Sequence, residues 1–212
     1  MEITSLTQYK GTTYEMELDG ERKLYLHIDI ITDFSLAKGM KLERGELRKI
    51  VYASNFRRAY EYALYRLDYR DYSAEEIFDK LVKTYKNEAL CLEVVKKLAR
   101  AGIINDKRYA EKLGRRFVEG KKYGYRRAKR EMRQKGLDED LIETVLQQYT
   151  DLYEENLTEL LNAKYSRYLT DSSDRKSVEK AKSALVRYGY GYDEINRAVK
   201  EYFERGNTDY AY

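Results

Sequence analysis

Residues 124–136 read GYRRAKREMRQKG. Two patterns are superimposed in this stretch. Tyr125, Ala128 and Met132 recur at the spacing of one helix face, and Gly136 follows where a helix C-terminal cap belongs. Arg126, Arg130 and Arg133 fall at i, i+4 and i+7 on another face, flanked by Lys129. The apolar pattern has counterparts on both sides. Ile77, Leu81 and Tyr85 shift by 51 onto Ala128, Met132 and Gly136, and these shift by 53 onto Ala181, Leu185 and Gly189. A period of about fifty residues marks a tandem array whose units pack mainly on their neighbours.

Each of these helices sits between two others. Tyr109, Leu113 and Phe117 mark a helix before 124–136, and Leu141, Ile142, Val145, Leu146 and Tyr149 one after it, with Asp138 as N-cap. In the first round, Phe56, Tyr60, Ala63, Leu64 and Leu67 are followed by Ile77, Phe78, Leu81, Val82 and Tyr85, then by Cys91, Val94, Val95 and Leu98. Ser73 with Glu76 forms a capping box, and Gly102 is placed as a C-terminal cap. The third round runs through Leu157, Leu160, Leu161 and Tyr168, then Val178, Ala181, Leu185 and Val186, then Ile195, Ala198, Val199 and Tyr202. TDSSDRK (170–176) is the expected flexible loop.

Upstream the period changes to two. TYEMEL, Asp19-Gly20 and RKLYLHIDI read as two strands around a tight turn, with Met1–Gln8 as a possible third strand. DFSLAKGMKL reads as a short helical turn ending at Gly39. The expected fold is therefore mostly α: three tandem three-helix repeats forming an elongated array, with a small N-terminal extension containing a β-hairpin. The expected boundaries are 1–45 for the extension and 55–104, 105–150 and 151–205 for the repeats.

The 212 residues include 23 Tyr, no Trp and no Pro. Tyrosine buries a ring while its hydroxyl reaches a polar partner, which suits the thin cores of small stacked units. The net charge is +4, but it is unevenly placed. Residues 107–135 hold 13 bases and 3 acids, leaving 28 bases against 34 acids elsewhere. Such a local excess focuses potential where an anionic partner is attracted. A lone cysteine, Cys91, makes no intrachain disulfide and fits a reducing compartment; its apolar helical neighbours point to a buried, inert thiol. No signal peptide and no membrane span are visible, so a cytoplasmic protein is expected.

No catalytic constellation is found. His27 is the only histidine, and no Cys/His set accompanies it, so no metal site or cofactor is expected. Gly189-Tyr-Gly191 lacks the length and the preceding strand of a phosphate-binding loop. Acid pairs such as Glu75-Glu76 and Glu154-Glu155 point about 100° apart on a helix and read as solvated surface.

NDKRYAEKLGRRF (105–117) followed by GYRRAKREMRQKGLDEDLI (124–142) resembles the central module of the RecX family, regulators of the RecA recombinase. Asp106, Arg108, Tyr109 and Ala110 match the family's first motif. Gly124, Glu131, Lys135, Gly136 and Leu137 match its second. Tyr69, Arg70 and Ser73 stand where the family's first unit has Tyr, Arg and Ser, and LVRYGYGYDEINRAV (185–199) is similar to its closing motif. The resemblance covers roughly residues 55–204. Tyr125 replaces a Pro often found after the glycine, and Ala128 and Met132 fill positions usually held by Ile or Leu. A monomer without enzymatic activity is expected, and the resemblance implies a tandem three-helix-repeat protein that binds RecA–DNA filaments along their groove. It further implies that ATP hydrolysis and strand exchange are restrained, or disassembly promoted, in recombination, DNA repair and the SOS response.

The candidate binding residues are Arg115, Arg116, Lys121, Lys122, Arg126, Arg127, Lys129, Arg130, Arg133 and Lys135. A merely solvated face mixes signs, whereas Glu131 is the one acid in 124–136. The loop bases precede a helix N-terminus, whose free N–H groups also favour anions. The corresponding stretches of the outer repeats carry Glu75, Glu76 and Asp79, or Glu179 and Lys180, so the positive face belongs to the middle copy. Tyr123 is the candidate base-stacking ring; Tyr109 and Tyr125 fall on core spacing. Two readings stay open: a filament modulator, and a stand-alone helical module that binds single- or double-stranded DNA, or RNA, without RecA.

Overall fold

The computed structural model describes residues 1–208. The chain divides into two compact units, one built from residues 1–70 and 77–103 and the other from 71–76 and 104 onward.

The first unit opens with a three-stranded antiparallel sheet in the order β1-β2-β3: β1 (Ile3–Lys10), β2 (Thr13–Leu18) and β3 (Arg22–His27). Asp19 and Gly20 take φ of +53° and +72° at the β2–β3 turn, as a tight hairpin requires. The strand ends sooner than the alternation of RKLYLHIDI predicts. Ile28–Asp33 is a helix, α1, because His27 Nδ1 accepts the Asp29 N–H (3.1 Å) and caps it, and the helical turn buries Ile30. The helical turn expected in DFSLAKGMKL is correspondingly displaced upstream. Residues 34–35 and 38–39 are turns, with Gly39 at φ +85°, and Gly39 and Met40 hydrogen-bond to the Ile3 backbone.

Helix α2 (Arg44–Tyr69) is longer than the apolar pattern from Phe56 suggested. Its first turns bury Leu47 and Ile50 against the sheet core of Ile3, Met16, Leu18 and Leu26. Farther along, the small residues Ala59 and Ala63 are fully buried, whereas Phe56, Tyr60, Leu64 and Leu67 are half-buried. Helices α3 (Ala74–Tyr85) and α4 (Glu88–Arg100) complete the first triplet. Asn87 caps α4 through the Leu90 N–H, and Gly102 ends it at φ +69°. Cys91 is fully buried, and burial raises its thiol pKa.

The second unit carries two further triplets. The middle one is α5 (Asp106–Gly114), α6 (Tyr125–Arg133) and α7 (Glu139–Gln147) around Leu113, Phe117, Ala128, Met132, Ile142 and Leu146. The last is α8 (Thr150–Leu160), α9 (Arg175–Tyr188) and α10 (Tyr192–Thr208) around Leu157, Leu160, Leu185, Ile195 and Val199. Residues 170–174 form the loop before α9. Both α5 and α8 run on into a wide π turn, Arg115–Gly120 and Leu161–Tyr165. In the first of these, buried Asn156 donates its Nδ2 to the Val118 carbonyl at 3.0 Å.

One join recurs in this unit. The C-terminal end of α9 meets the N-terminal end of α6: the Gly124 N–H donates to Tyr188 O (2.8 Å) and the Arg126 N–H to Gly189 O (3.2 Å). The C-terminal end of α6 meets residues 73–76 in the same sense, with Ser73 Oγ donating to Lys135 O at 2.5 Å. In each case the negative end of one helix dipole faces the positive end of another. The contacts are close enough to demand glycine. A Cβ on Gly124 would lie 2.6 Å from the Gly189 carbonyl carbon, and one on Gly136 would lie 2.7 Å from Glu75 Cβ.

Gly124 has ordinary extended dihedrals (φ −67°, ψ 162°), so alanine there meets only a steric penalty. Gly124→Ala is expected to destabilise the protein by about 1–3 kcal/mol, the usual cost of overpacking. Gly120→Ala, with nothing within 4 Å, serves as the neutral control. Circular-dichroism melting of the two variants makes the comparison, and equal midpoints would remove the join as a steric constraint.

Candidate functional site

Helix α6 divides its faces as its spacing requires. Ala128 and Met132 are fully buried, and Arg126, Arg130 and Arg133 are exposed. Tyr125 is half-buried and donates its hydroxyl to Glu143.

The basic residues do not all present free charge, because acids from other helices reach them. Lys129 Nζ lies 2.6 Å from Glu139 and also contacts Glu143. Arg133 makes paired bonds to Glu139, at 2.8 and 3.1 Å. Lys122 pairs with Glu159, and Lys135 lies 3.6 Å from Glu76. The Arg133 guanidinium and then the Lys129 ammonium hold the Glu139 carboxyl at about 2, while Lys129 itself is raised by both glutamates. Residues 136–163 contain eight acids and no base, which was the available sequence signal for this neutralisation.

Arg127 is held by an aromatic pair. Its guanidinium carbon lies 3.9 Å from the Tyr123 ring centre and 6.0 Å from that of Tyr188, and Nη1 donates to Arg187 O. Tyr123 also stacks on Phe117 (5.9 Å) and carries Lys121 Nζ at 5.3 Å, so its ring is taken up within the protein. The N-terminus of α6 is likewise closed to ligands, since the α9 carbonyls already accept its N–H groups. Among the described residues, Arg115, Arg116, Lys121 and Arg126 have no carboxylate within 4.0 Å, and Arg130 reaches only Glu131, at 3.9 Å. All five are exposed.

The motif residues serve helix ends. Ser73 and Glu76 form the expected capping box, with the Glu76 N–H donating to Ser73 Oγ at 3.0 Å. Asp106 Oδ1 accepts the Ala74 N–H (2.9 Å), and burial raises its carboxyl pKa. Tyr109 is buried, with its hydroxyl directed at Glu76, and the Arg108 N–H is accepted by the α5 cap Asn105. Tyr69 is exposed and bonded to the Tyr65 hydroxyl (2.9 Å), while Arg70 ends α2 in an extended conformation. Gly189 is the left-handed cap of α9, at φ +99°. No described group of three or more His, Cys, Asp or Glu is arranged to hold a metal, and no described helix is long and apolar enough to cross a membrane.

The pH dependence of the α6–α7 network follows from the depressed Glu139 carboxyl. Its stabilisation is fully present above the ordinary value of 4.5 and is lost as pH falls through about 2. The urea-midpoint difference between the native chain and Glu139→Gln is expected to shrink towards zero over that window. A difference that stays constant down to pH 2 would contradict the pairing.

A family model describing the second three-helix domain of RecX matches residues 105–146. Regulatory protein RecX of Streptococcus sanguinis (strain SK36) is 30% identical over 205 residues, covering 94% of this chain and 76% of that protein. A crystal structure of regulatory protein RecX superimposes with a TM-score of 0.71 at 24% identity, covering 94% of this chain and 98% of that one. The crystal structure of RecX from Lactobacillus salivarius gives 0.63 at 32% identity, covering 70% and 97%. Built of capped three-helix units and 30% identical to a regulatory protein RecX along most of both chains, the protein belongs to the RecX family of regulatory proteins.

Proposed function

We propose that this protein binds RecA–DNA filaments as a cytoplasmic monomer and restrains RecA ATP hydrolysis and strand exchange in recombination and DNA repair. The repeats at 55–104, 105–150 and 151–205 act as its successive binding modules. The observation that carries this reading is the set of exposed bases on the middle triplet, Arg115, Arg116, Lys121, Arg126 and Arg130, together with membership of a family of regulators. These cations meet an anionic surface, made of DNA phosphates or acidic RecA side chains, in a salt-dependent way. The role is regulatory and needs no catalytic group or cofactor in this chain. The neutralised bases Lys122, Lys129, Arg133 and Lys135 shape the surface and contribute less to binding.

RecA ATPase on single-stranded DNA, titrated with the protein, tests the reading. Arg126→Glu with Arg130→Glu is expected to raise the half-inhibitory concentration about tenfold or more, the equivalent of about 1.4 kcal/mol, with an unchanged melting temperature. Full inhibition by the folded double variant would reject the surface. Absence of inhibition by the native chain, with salt-sensitive binding to bare DNA, would favour a stand-alone nucleic-acid module instead.

A further inference from the structure

A second cationic site lies in the first unit, far along the chain from the middle triplet. Arg22 at the start of β3 and Arg44 and Arg48 at the start of α2 converge on one cleft of about 540 Å³. That volume is in the range of small-ligand clefts. No Asp or Glu lines it. Among the described residues none of the three arginines has a carboxylate within 4.0 Å, although Arg44 and Arg48 are one helical turn apart and repel each other.

The acids that flank Arg44 are engaged elsewhere. Glu43 and Glu46 close a capping box on α2, with the Glu43 N–H donating to Glu46 Oε2 at 2.8 Å. They therefore satisfy backbone groups and leave Arg44 and Arg48 without a paired carboxylate. The rest of the cleft is suited to a base beside a phosphate. Leu47, Val51 and Leu90 supply apolar lining, and Asn55 and Asn87 supply amides. The Tyr52 ring is 38% exposed and is oriented by the bond from its hydroxyl to Glu93 (2.7 Å). Guanidinium groups next to an exposed aromatic ring are the pairing by which single strands are held: phosphate on the cations, base on the ring.

We infer that this cleft is a binding site for a phosphodiester of single-stranded nucleic acid, separate from the basic face of the middle triplet. The inference does not depend on RecA, and its test omits RecA. Binding of a fluorescein-labelled oligothymidylate is measured by anisotropy across a salt series. The measurement uses the full chain carrying Arg126→Glu and Arg130→Glu, so that the other basic face does not mask the result. Adding Arg22→Ala, Arg44→Ala and Arg48→Ala is expected to weaken binding about tenfold and to reduce the slope of log K against log salt by about two, as loss of three single-strand phosphate contacts requires.

A 5-iodouracil oligonucleotide is expected to crosslink to the tryptic peptide 50–57, which contains Tyr52. Competition by inorganic phosphate or a mononucleotide as effective as by the oligonucleotide would show a free-phosphate site and overturn the strand assignment. Unchanged affinity and slope in the triple variant, with no crosslink to that peptide, would overturn the site.

Discussion

The second unit depends on backbone groups meeting end to end. A helix leaves its last carbonyls and first N–H groups without intrahelical partners. Here the carbonyls at the end of α9 accept the N–H groups at the start of α6, and a carbonyl at the end of α6 accepts Ser73. Each set of orphan groups satisfies another, and the dipoles add favourably. This only works if the chains approach to backbone distance, which is why glycine stands at 124, 136 and 189. The cores of Ala128 with Met132 and of Ala181 with Leu185 then pack on helices whose relative positions are already set by their ends.

That join also reshapes the candidate site. A helix N-terminus preceded by Lys121 and Lys122 looks in isolation like an anion cradle. In the folded protein it is filled by α9, and Arg127 is drawn into a cage of Tyr123, Tyr188 and the Arg187 carbonyl. Glutamates of α7 and α8 remove more of the apparent charge. The charge left exposed is a narrower set on the π turn after α5, the loop that follows, and the outer face of α6.

The features readable from the chain are those decided within a few residues. The Asp19-Gly20 turn, the Ser73–Glu76 box, the Asp138 cap, the glycine stops and the buried stripes of α4 to α10 all rest on local chemistry. The misplaced features rest on distant partners. Ile28–Asp33 alternates like a strand, but His27 can cap it and Ile30 has a core to enter, so it coils. In α2 the apolar spacing Phe56, Tyr60, Ala63, Leu64 and Leu67 includes Ala63 but not Ala59, and those two alanines are the fully buried ones. Pairing of Lys129 with Glu139 and Glu143 joins two helices across a turn, and convergence of Arg22 with Arg44 and Arg48 joins a strand to a helix. No periodicity encodes either.

The glycine joins have a consequence for how such a surface can change. Gly124 and Gly189 meet through peptide groups, and the exposed Arg130, a turn farther along α6, takes no part in the hydrogen bonds of the join. Spacing between successive modules and the charge they display are therefore controlled by different positions. Substitutions can change the charge of the outer face while the modules keep their registration, so a lineage can alter what the scaffold displays without having to relearn how it folds.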